Sequence, residues 1–497
     1  MNHTPRLVSA PGFALCCGLL ACSGQPQPAT DSEGPTDTAP HTDDNDSDDD
    51  SACIEDDGVF SDISSSAPTT AGAVARVEWT AQDATQTWVR YLDTLEQSVD
   101  LPRDPSGGAT LRGLLPSSDV SYRLVAQVGD QRFCSEARTA STSALPAGLP
   151  ELALTLGTPQ DVSPAFMSTS VLTPDKRFAV VLDTMGEVVW AWEAPEDVAP
   201  GVPLYRVAFS KDGRSLLVNT HSTASQPGAI WRIPWDGQDV TTHRLDNIHR
   251  DFAELSDGTI AYFAHESRRF ESGEEYRGDV IIEMSPDGES TQAWNLWEDY
   301  DHGLGPSEVL DSLDCLCDYA HANALHYDPN TDAYLVTLPE LGSPESPQPR
   351  GSLLSVDRQT AGTNWELSYS RGDFEIVGTE LAIESPHSMQ LVEGGVLVFN
   401  RGSPDSCSRA TEVALDPSIG TAQVVWQSSE DPCLHVIFLG ESRRLDDGDT
   451  LVMYSSAGSL EVVGPDGLHK WRLQADLGAG FGFVDRTTTL AEADRLR

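Results

Sequence analysis

From about residue 151 to residue 490 the chain repeats one short pattern, and this constrains the fold more than any other feature. Each unit has a turn of the Ser-Asp-Gly kind, then a β-rich run, then a second run that closes on tryptophan. The turns include Lys211-Asp212-Gly213, Ser256-Asp257-Gly258, Val392-Glu393-Gly394-Gly395 and Asp446-Asp447-Gly448. The closings are Trp190-Ala191-Trp192, Trp231, Trp294, Trp365, Trp426 and Trp471. Six all-β units of about 40 to 70 residues cannot each bury a sheet face alone, so they stack into a six-bladed β-propeller. The tryptophans are then expected between blades. An irregular period and the lack of a G-H…W-D signature argue against WD40 repeats.

The charge balance limits what such a chain can bind. There are 31 Lys and Arg against 78 Asp and Glu, so 31 − 78 gives a net charge of −47. Phosphate-backbone binding needs clustered cations, so nucleic acid is not expected as a partner. The lysines are Lys176, Lys211 and Lys470, and no G-x-x-x-x-G-K-[ST] loop is present.

Ahead of the repeats the sequence reads in three parts. Residues 1–21 have the short apolar stretch of a secretory signal, too short to span a membrane. They end Leu19-Leu20-Ala21-Cys22, which resembles the bacterial lipobox, with Cys22 lipidated and first in the mature chain. Ser23 follows, so the resemblance implies an exported lipoprotein of the outer membrane, held there by its lipid anchor only. Residues 22–60 form an acidic tether. From Ser23 to Asp57 there are 12 Asp and Glu and no Lys or Arg, and such a segment is extended by self-repulsion. Residues 68–142 alternate in period two over Val74–Trp79, Thr87–Tyr91 and Ser121–Ala126, giving a small β-sandwich. Its Leu114-Leu115-Pro116…Tyr122 stretch resembles the turn-and-strand of fibronectin type III domains, which implies that Tyr122 pins a corner.

Six cysteines remain after Cys16, Cys17 and Cys22, an even number consistent with disulfides in an oxidising compartment. Cys53 and Cys134 flank the sandwich and are expected to pair. Cys407 is expected to pair with Cys433, or both cross to Cys315 and Cys317. A zinc site built from these four is the competing reading, but its spacing is not that of a zinc finger. Neither a metal nor a cofactor is expected.

Three consecutive units open on unusual residues: His249-Arg250-Asp251, then His321-Ala322-Asn323, then Pro386-His387-Ser388. The first residues of each inner strand line the mouth of a propeller's channel, so these histidines should converge. The stretches His321-Ala322-Asn323-Ala324-Leu325-His326-Tyr327-Asp328 and Phe399-Asn400-Arg401-Gly402…Ser408-Arg409-Ala410-Thr411-Glu412 resemble motifs of the bacterial arylsulfotransferase family. That resemblance spans roughly residues 160 to 490. It implies nucleotide-independent transfer of a sulfuryl group from a phenolic sulfate ester to a phenol, through a sulfohistidine. By motif position His387 matches the nucleophile, and His321 with Asn323 matches the pair that contacts sulfuryl oxygens. His249 is the loose match to a proton donor, because Arg250 occupies the place directly before Asp251. Pro339 stands where the family has an arginine, and Arg250 and Arg401 are the candidate substrate-binding cations. The partners implied are a sulfate donor, a phenol acceptor and a second copy of the chain. The alternative is a catalytically silent, surface-anchored propeller that binds a ligand or protein.

Overall fold

The protein is represented by a computed structural model. It describes residues 53–491, apart from 56–57, 197, 199–201, 270–274, 300–316, 340–350, 370–371, 379–381, 403–405 and 476–479. The expectations for the leader, for Cys22 and for most of the tether fall outside the described residues, as do those for Cys315 and the Cys317 side chain.

Residues 166–475 fold into six sheets in chain order, each built on antiparallel strands, with Cys317–Asp318 and Glu375–Val377 added in parallel to the third and fifth. The first blade is Phe166–Leu172, Arg177–Asp183 and Val188–Glu193. The second is Leu204–Phe209, Ser215–Thr220, Gly228–Pro234 and Thr241–Leu245. The third is Ile248–Glu254, Ile260–Arg269, Glu275–Met284 and Ser290–Asn295. The fourth is Leu325–Asp328, Ala333–Leu338, Ser352–Asp357 and Thr363–Ser368. The fifth is Pro386–Val392, Gly395–Asn400, Arg409–Asp416 and Thr421–Gln427. The sixth is Glu441–Arg444, Thr450–Tyr454, Ser459–Val463 and His469–Ala475.

Both ends of this region close the ring. Leu152–Leu156 adds to the outer edge of the sixth blade through His469–Ala475. Gly480–Phe481 and Asp485–Thr487 pair with Phe166–Leu172 and become the innermost strand of the first blade. A ring shut in this way has no unpaired edge between its first and last blades.

Trp190, Trp231, Trp294 and Trp471 are fully buried, as expected for residues between blades. Trp192 and Trp231 meet across the first two blades with ring centroids 6.0 Å apart. Each buried indole removes about 200 Å² from water, or about 5 kcal/mol before entropic losses. Trp365 and Trp426 differ, because both are only half-buried. Trp426 lies at the rim, where its Nε1–H donates to the Pro465 carbonyl and Arg444 covers its ring.

The preceding sandwich has two sheets. One contains Gln86–Leu92, Ser98–Arg103 and Asp119–Val128, and the other Phe60–Ser66, Ala75–Ala81 and Ser106–Leu111. Val77, Trp79, Val89, Leu101 and Leu124 fill the space between them. Tyr122 is buried, but among the described residues its hydroxyl makes no backbone anchor. Tyr91 does this instead, bonding the Arg112 carbonyl at 3.0 Å. The sandwich rests on the second blade through Arg76–Asp236 at 3.0 Å and Arg112 over the Trp235 ring. The disulfides Cys53–Cys134 and Cys407–Cys433 both form; the first is the expected pair, and the second is one of the two alternatives the sequence left open.

Candidate active site

Inner strands that run straight into a channel would show the same face of every blade. Here the register slips near the start of three of them: between Leu204 and Val207, between Ile248 and Phe252, and between Pro386 and Ser388. Such bulges turn one side chain out of the alternation and aim it elsewhere. The backbone is also left-handed at Arg250 (φ 56°), His321 (φ 56°) and Ser385 (φ 53°), at the entrances of the third, fourth and fifth blades. Non-glycine residues in that region cost about 1–3 kcal/mol each and gather at functional sites.

The segment before the fourth blade is held by its backbone. Ala322 N–H donates to Asp279 Oδ2 at 3.0 Å, Asn323 N–H to the Thr337 carbonyl at 3.0 Å, and Leu325 N–H to Asp251 Oδ2 at 2.9 Å. These bonds leave the side chains of His321 and Asn323 to other work. Arg250 Nη2 lies 2.5 Å from His321 Nε2. A guanidinium has no acceptor, so His321 Nε2 carries the lone pair and its proton sits on Nδ1. Asn323 is 1% exposed, and among the described residues neither atom of its amide has a hydrogen-bond partner. A buried amide left this way costs about 1–3 kcal/mol.

His387 is 3% exposed, and its Nδ1 lies 3.1 Å from the Ser385 carbonyl. A carbonyl only accepts, so the proton is on Nδ1 and the Nε2 lone pair is available. Burial drives the imidazole pKa well below the ordinary histidine range, and the charges of Arg401 and Arg250 push the same way, against the Ser385 hydrogen bond. His387 is therefore neutral at neutral pH, with guanidinium charge nearby. The structure thus gathers His321, His387, Arg250 and Arg401 into one electrostatic neighbourhood. Pro339 is buried at the end of Ala333–Leu338 and supplies no cation.

His249 takes a different position. Its ring stacks on His265 with centroids 3.6 Å apart, and its Nε2 lies 2.9 Å from Asp279 Oδ1. Its described contacts therefore run along the third blade.

Two further residues belong to this region. Tyr205 Oη lies 2.5 Å from His221 Nδ1, and Arg250 covers the Tyr205 ring at 5.6 Å. Burial, then Arg250 and Arg277, lowers His221 to about 4. Asn219 links them, accepting from Arg206 N–H and donating to the Arg250 carbonyl. Position within the repeat could have flagged Tyr205, because it opens the second blade as His249 and Arg250 open the third.

On the channel axis lies a buried ion network. Arg206 contacts Asp251 at 2.5 Å and Glu441 at 3.4 Å, and Arg443 bridges Glu441 and Asp485 at 3.1 and 3.0 Å. Burial opposes charge on Arg206, but Asp251 and Glu441 outweigh it and hold the guanidinium protonated. The network fastens the second, third and sixth blades and the final strand together at the ring's centre.

The fold and site define an all-β propeller with a neutral buried histidine among arginines on its inner strands. Residues 157–340 match the family model for arylsulfotransferase (ASST). The match takes in Arg250, His321 and Asn323, whereas His387 and Arg401 lie beyond it. No curated protein matches the chain. Among solved structures it is similar to a DUF4784 family protein from Bacteroides caccae, with 8% identity and TM-score 0.28, over 86% of this chain and 100% of that one. It is also similar to the NanB sialidase of Streptococcus pneumoniae (K499G mutant), with 8% identity and TM-score 0.25, over 85% of this chain and 55% of that one.

Proposed function

We propose that the protein transfers a sulfuryl group from a phenolic sulfate ester to a phenol, with His387 as the covalent carrier. The observation that carries this reading is the neutral, buried His387, whose Nδ1 is engaged by the Ser385 carbonyl and whose Nε2 is left to react. In the first half-reaction Nε2 attacks sulfur, the N–S bond forms, the S–O bond breaks, and the phenolate leaves with the electron pair. In the second, an acceptor phenol gives up its proton through solvent to the released phenolate, its oxygen bonds sulfur, and the N–S bond breaks with its electron pair returning to Nε2. Arg250 and Arg401 offset the negative charge of the ester. The Asn323 amide donates to a sulfuryl oxygen, a partner it lacks among the described residues.

Pro339, in place of the family arginine, favours the second reading of a silent propeller. One assay separates the two: incubation with 4-nitrophenyl sulfate and a phenol, following nitrophenolate release. Release by the wild type that is lost in His387→Ala supports the enzyme. No release from a panel of aryl sulfates supports the silent propeller. The exported, Cys22-anchored form is part of the same proposal, and a Cys22→Ala variant that stays with the membrane would remove it.

A further inference from the structure

We propose that a cavity between the small sandwich and the second blade binds a small organic polyanion, one that carries two or more carboxylate or sulfate groups, separate from the sulfuryl-transfer reading. The cavity measures about 580 Å³, a size that holds a drug-sized ligand. Arg76, Arg103, Arg112 and Arg214 line it against two carboxylates, Asp104 and Asp236, so 4 − 2 leaves the wall with a charge of +2. The chain as a whole carries −47. Guanidiniums gathered on one concave surface repel one another, and a bound anion offsets that repulsion.

The sandwich builds one wall. Gly108, Thr110 and Arg112 stand at alternate places along Ser106–Leu111 and just past its end, so they show the same face to the cavity. Ala75–Ala81, which carries Arg76, pairs with that strand. A Cβ placed on Gly108 would lie 3.0 Å from Arg76 Nη2, and the Gly108 carbonyl accepts Arg103 Nε–H at 3.1 Å. Two guanidiniums therefore meet at a residue without a side chain. Arg103 Nη1 also donates to the Pro102 carbonyl at 2.6 Å. Arg112 is 1% exposed, donates from Nε to the Leu490 carbonyl at 2.9 Å, and covers the Trp235 ring at 4.8 Å. A carbonyl is neutral, so such bonds fix a guanidinium without cancelling its charge. Arg112 thus adds positive potential from within the wall, while Arg103 and Arg214 reach the cavity's open side.

The lining also selects the ligand. Guanidinium forks match the paired oxygens of an oxyanion and stay charged at any working pH. Arg76 and Arg103 stand on the sandwich side and Arg214 on the propeller side, so a ligand with two acidic groups spans the cavity. Pro102 and Pro234, one from each side, offer apolar surface to the body between those groups. Arg76 is the cation already shared with a carboxylate, Asp236 Oδ2 at 3.0 Å. Repulsion from the rest of the acidic chain is screened beyond about 8 Å at physiological salt, so the local arginines set the potential that a bound anion meets.

The test titrates the full chain by calorimetry at physiological salt with citrate and with sucrose octasulfate, whose two arms tell carboxylates from sulfate esters. Neither probe is an aryl sulfate, so failure of one reading does not touch the other. The expected result is saturable binding of one anion per chain in at least one arm, and no heat with neutral sucrose. Arg103→Gln and Arg214→Gln should each weaken binding by about 10–100-fold, the worth of one charged hydrogen bond. Asp236→Asn removes a competing carboxylate from Arg76 and should tighten binding. Arg269→Gln, on an exposed stretch of the third blade, should leave it unchanged. Circular dichroism checks the fold of each variant, and if Arg103→Gln fails to fold, Arg214→Gln decides the matter. No saturable binding of either probe, full binding that survives Arg214→Gln, or weaker binding by a folded Asp236→Asn overturns the proposal.

Discussion

Replacing Arg206 with methionine keeps an unbranched apolar stem but removes the cation at the centre of the ring. Asp251 and Glu441 would then be fully buried carboxylates without Arg206 between them, although Glu441 would keep Arg443. Breaking a buried pair from one side costs about 3–5 kcal/mol, because the stranded charge cannot be rehydrated. If about 340 residues of propeller unfold as one unit, the unfolding entropy is about 0.7 kcal/mol/K, so the melting point should fall by about 4–7 °C. The pH dependence is a sharper sign of the same cause. Burial raises the Asp251 pKa, and Arg206 opposes that rise. A carboxyl with a raised pKa binds more protons folded than unfolded, so its cost grows as pH rises through the folded value. Without Arg206 the main opposition to the rise is gone and the Leu325 N–H bond remains against it, so the deficit of Arg206→Met should be largest near neutrality and shrink as the pH is lowered. The assay is a melting series of both proteins across pH. A variant that melts within a degree of wild type at neutral pH, or whose deficit is constant with pH, would refute the assignment of this network as the ring's central fastening.

Three other outcomes are expected. Asn323→Ala should lower turnover by about 10²–10³-fold, as losses of single oxyanion donors do, while leaving the melting point equal or higher, since the buried amide has no partner to lose; a variant that is both fully active and destabilised would contradict this. His221, His326 and His387 all have depressed pKa values, primarily through burial, so the unfolded chain binds more protons below about pH 6.5 and stability should fall with acid through that window. His221 alone, at about 4, accounts for about 3 kcal/mol, so a urea midpoint that is flat from about pH 7 to 5 would count against it. On the proposed sulfuryl-transfer reading, where the resemblance puts a proton-donating histidine at the position of Arg250, rates should fall steeply as the pKa of the leaving phenol rises, and a flat series of aryl sulfates would reveal a proton donor after all.

The fold was legible because its units repeat. Ser-Asp-Gly-type turns recur in four of the blades and tryptophan closings in all six; Cys53–Cys134 followed from counting and position, whereas Cys407–Cys433 was one of two pairings that counting left open. Trp365 and Trp426 were misplaced because a closing tryptophan is buried only where a neighbouring blade covers it, and coverage depends on blade contacts that sequence spacing does not encode. Tyr122 failed as a corner anchor for a similar reason: its period-two position gave burial, but not the direction of its hydroxyl. The placement of His321 and His387 followed from their place at the starts of blades. The side-chain aim did not, because it depends on bulges and left-handed backbone at Arg250, His321 and Ser385, which carry no glycine to mark them. His249 shows this most clearly, since its strand position alone does not indicate a ring stacked on His265. The central network was present in the sequence but easily overlooked. Arg206, Asp251 and Glu441 each stand seven places before a turn glycine (213 − 206, 258 − 251 and 448 − 441), so aligning the repeats on their turns brings them together. The stack of His249, His265 and Asp279 had no such signal, because a cross-strand cluster leaves no fixed spacing.

The central claim is that His387 carries the sulfuryl group, and rapid-quench mass spectrometry tests it most directly. Wild-type protein would be mixed with excess 4-nitrophenyl sulfate without acceptor, quenched under alkaline conditions and digested. The account predicts a peptide containing Pro386-His387-Ser388 heavier by one SO₃, formed with the nitrophenolate burst and discharged when a phenol is added. A burst with the added mass on another residue, or turnover with no sulfated peptide at all, would contradict it.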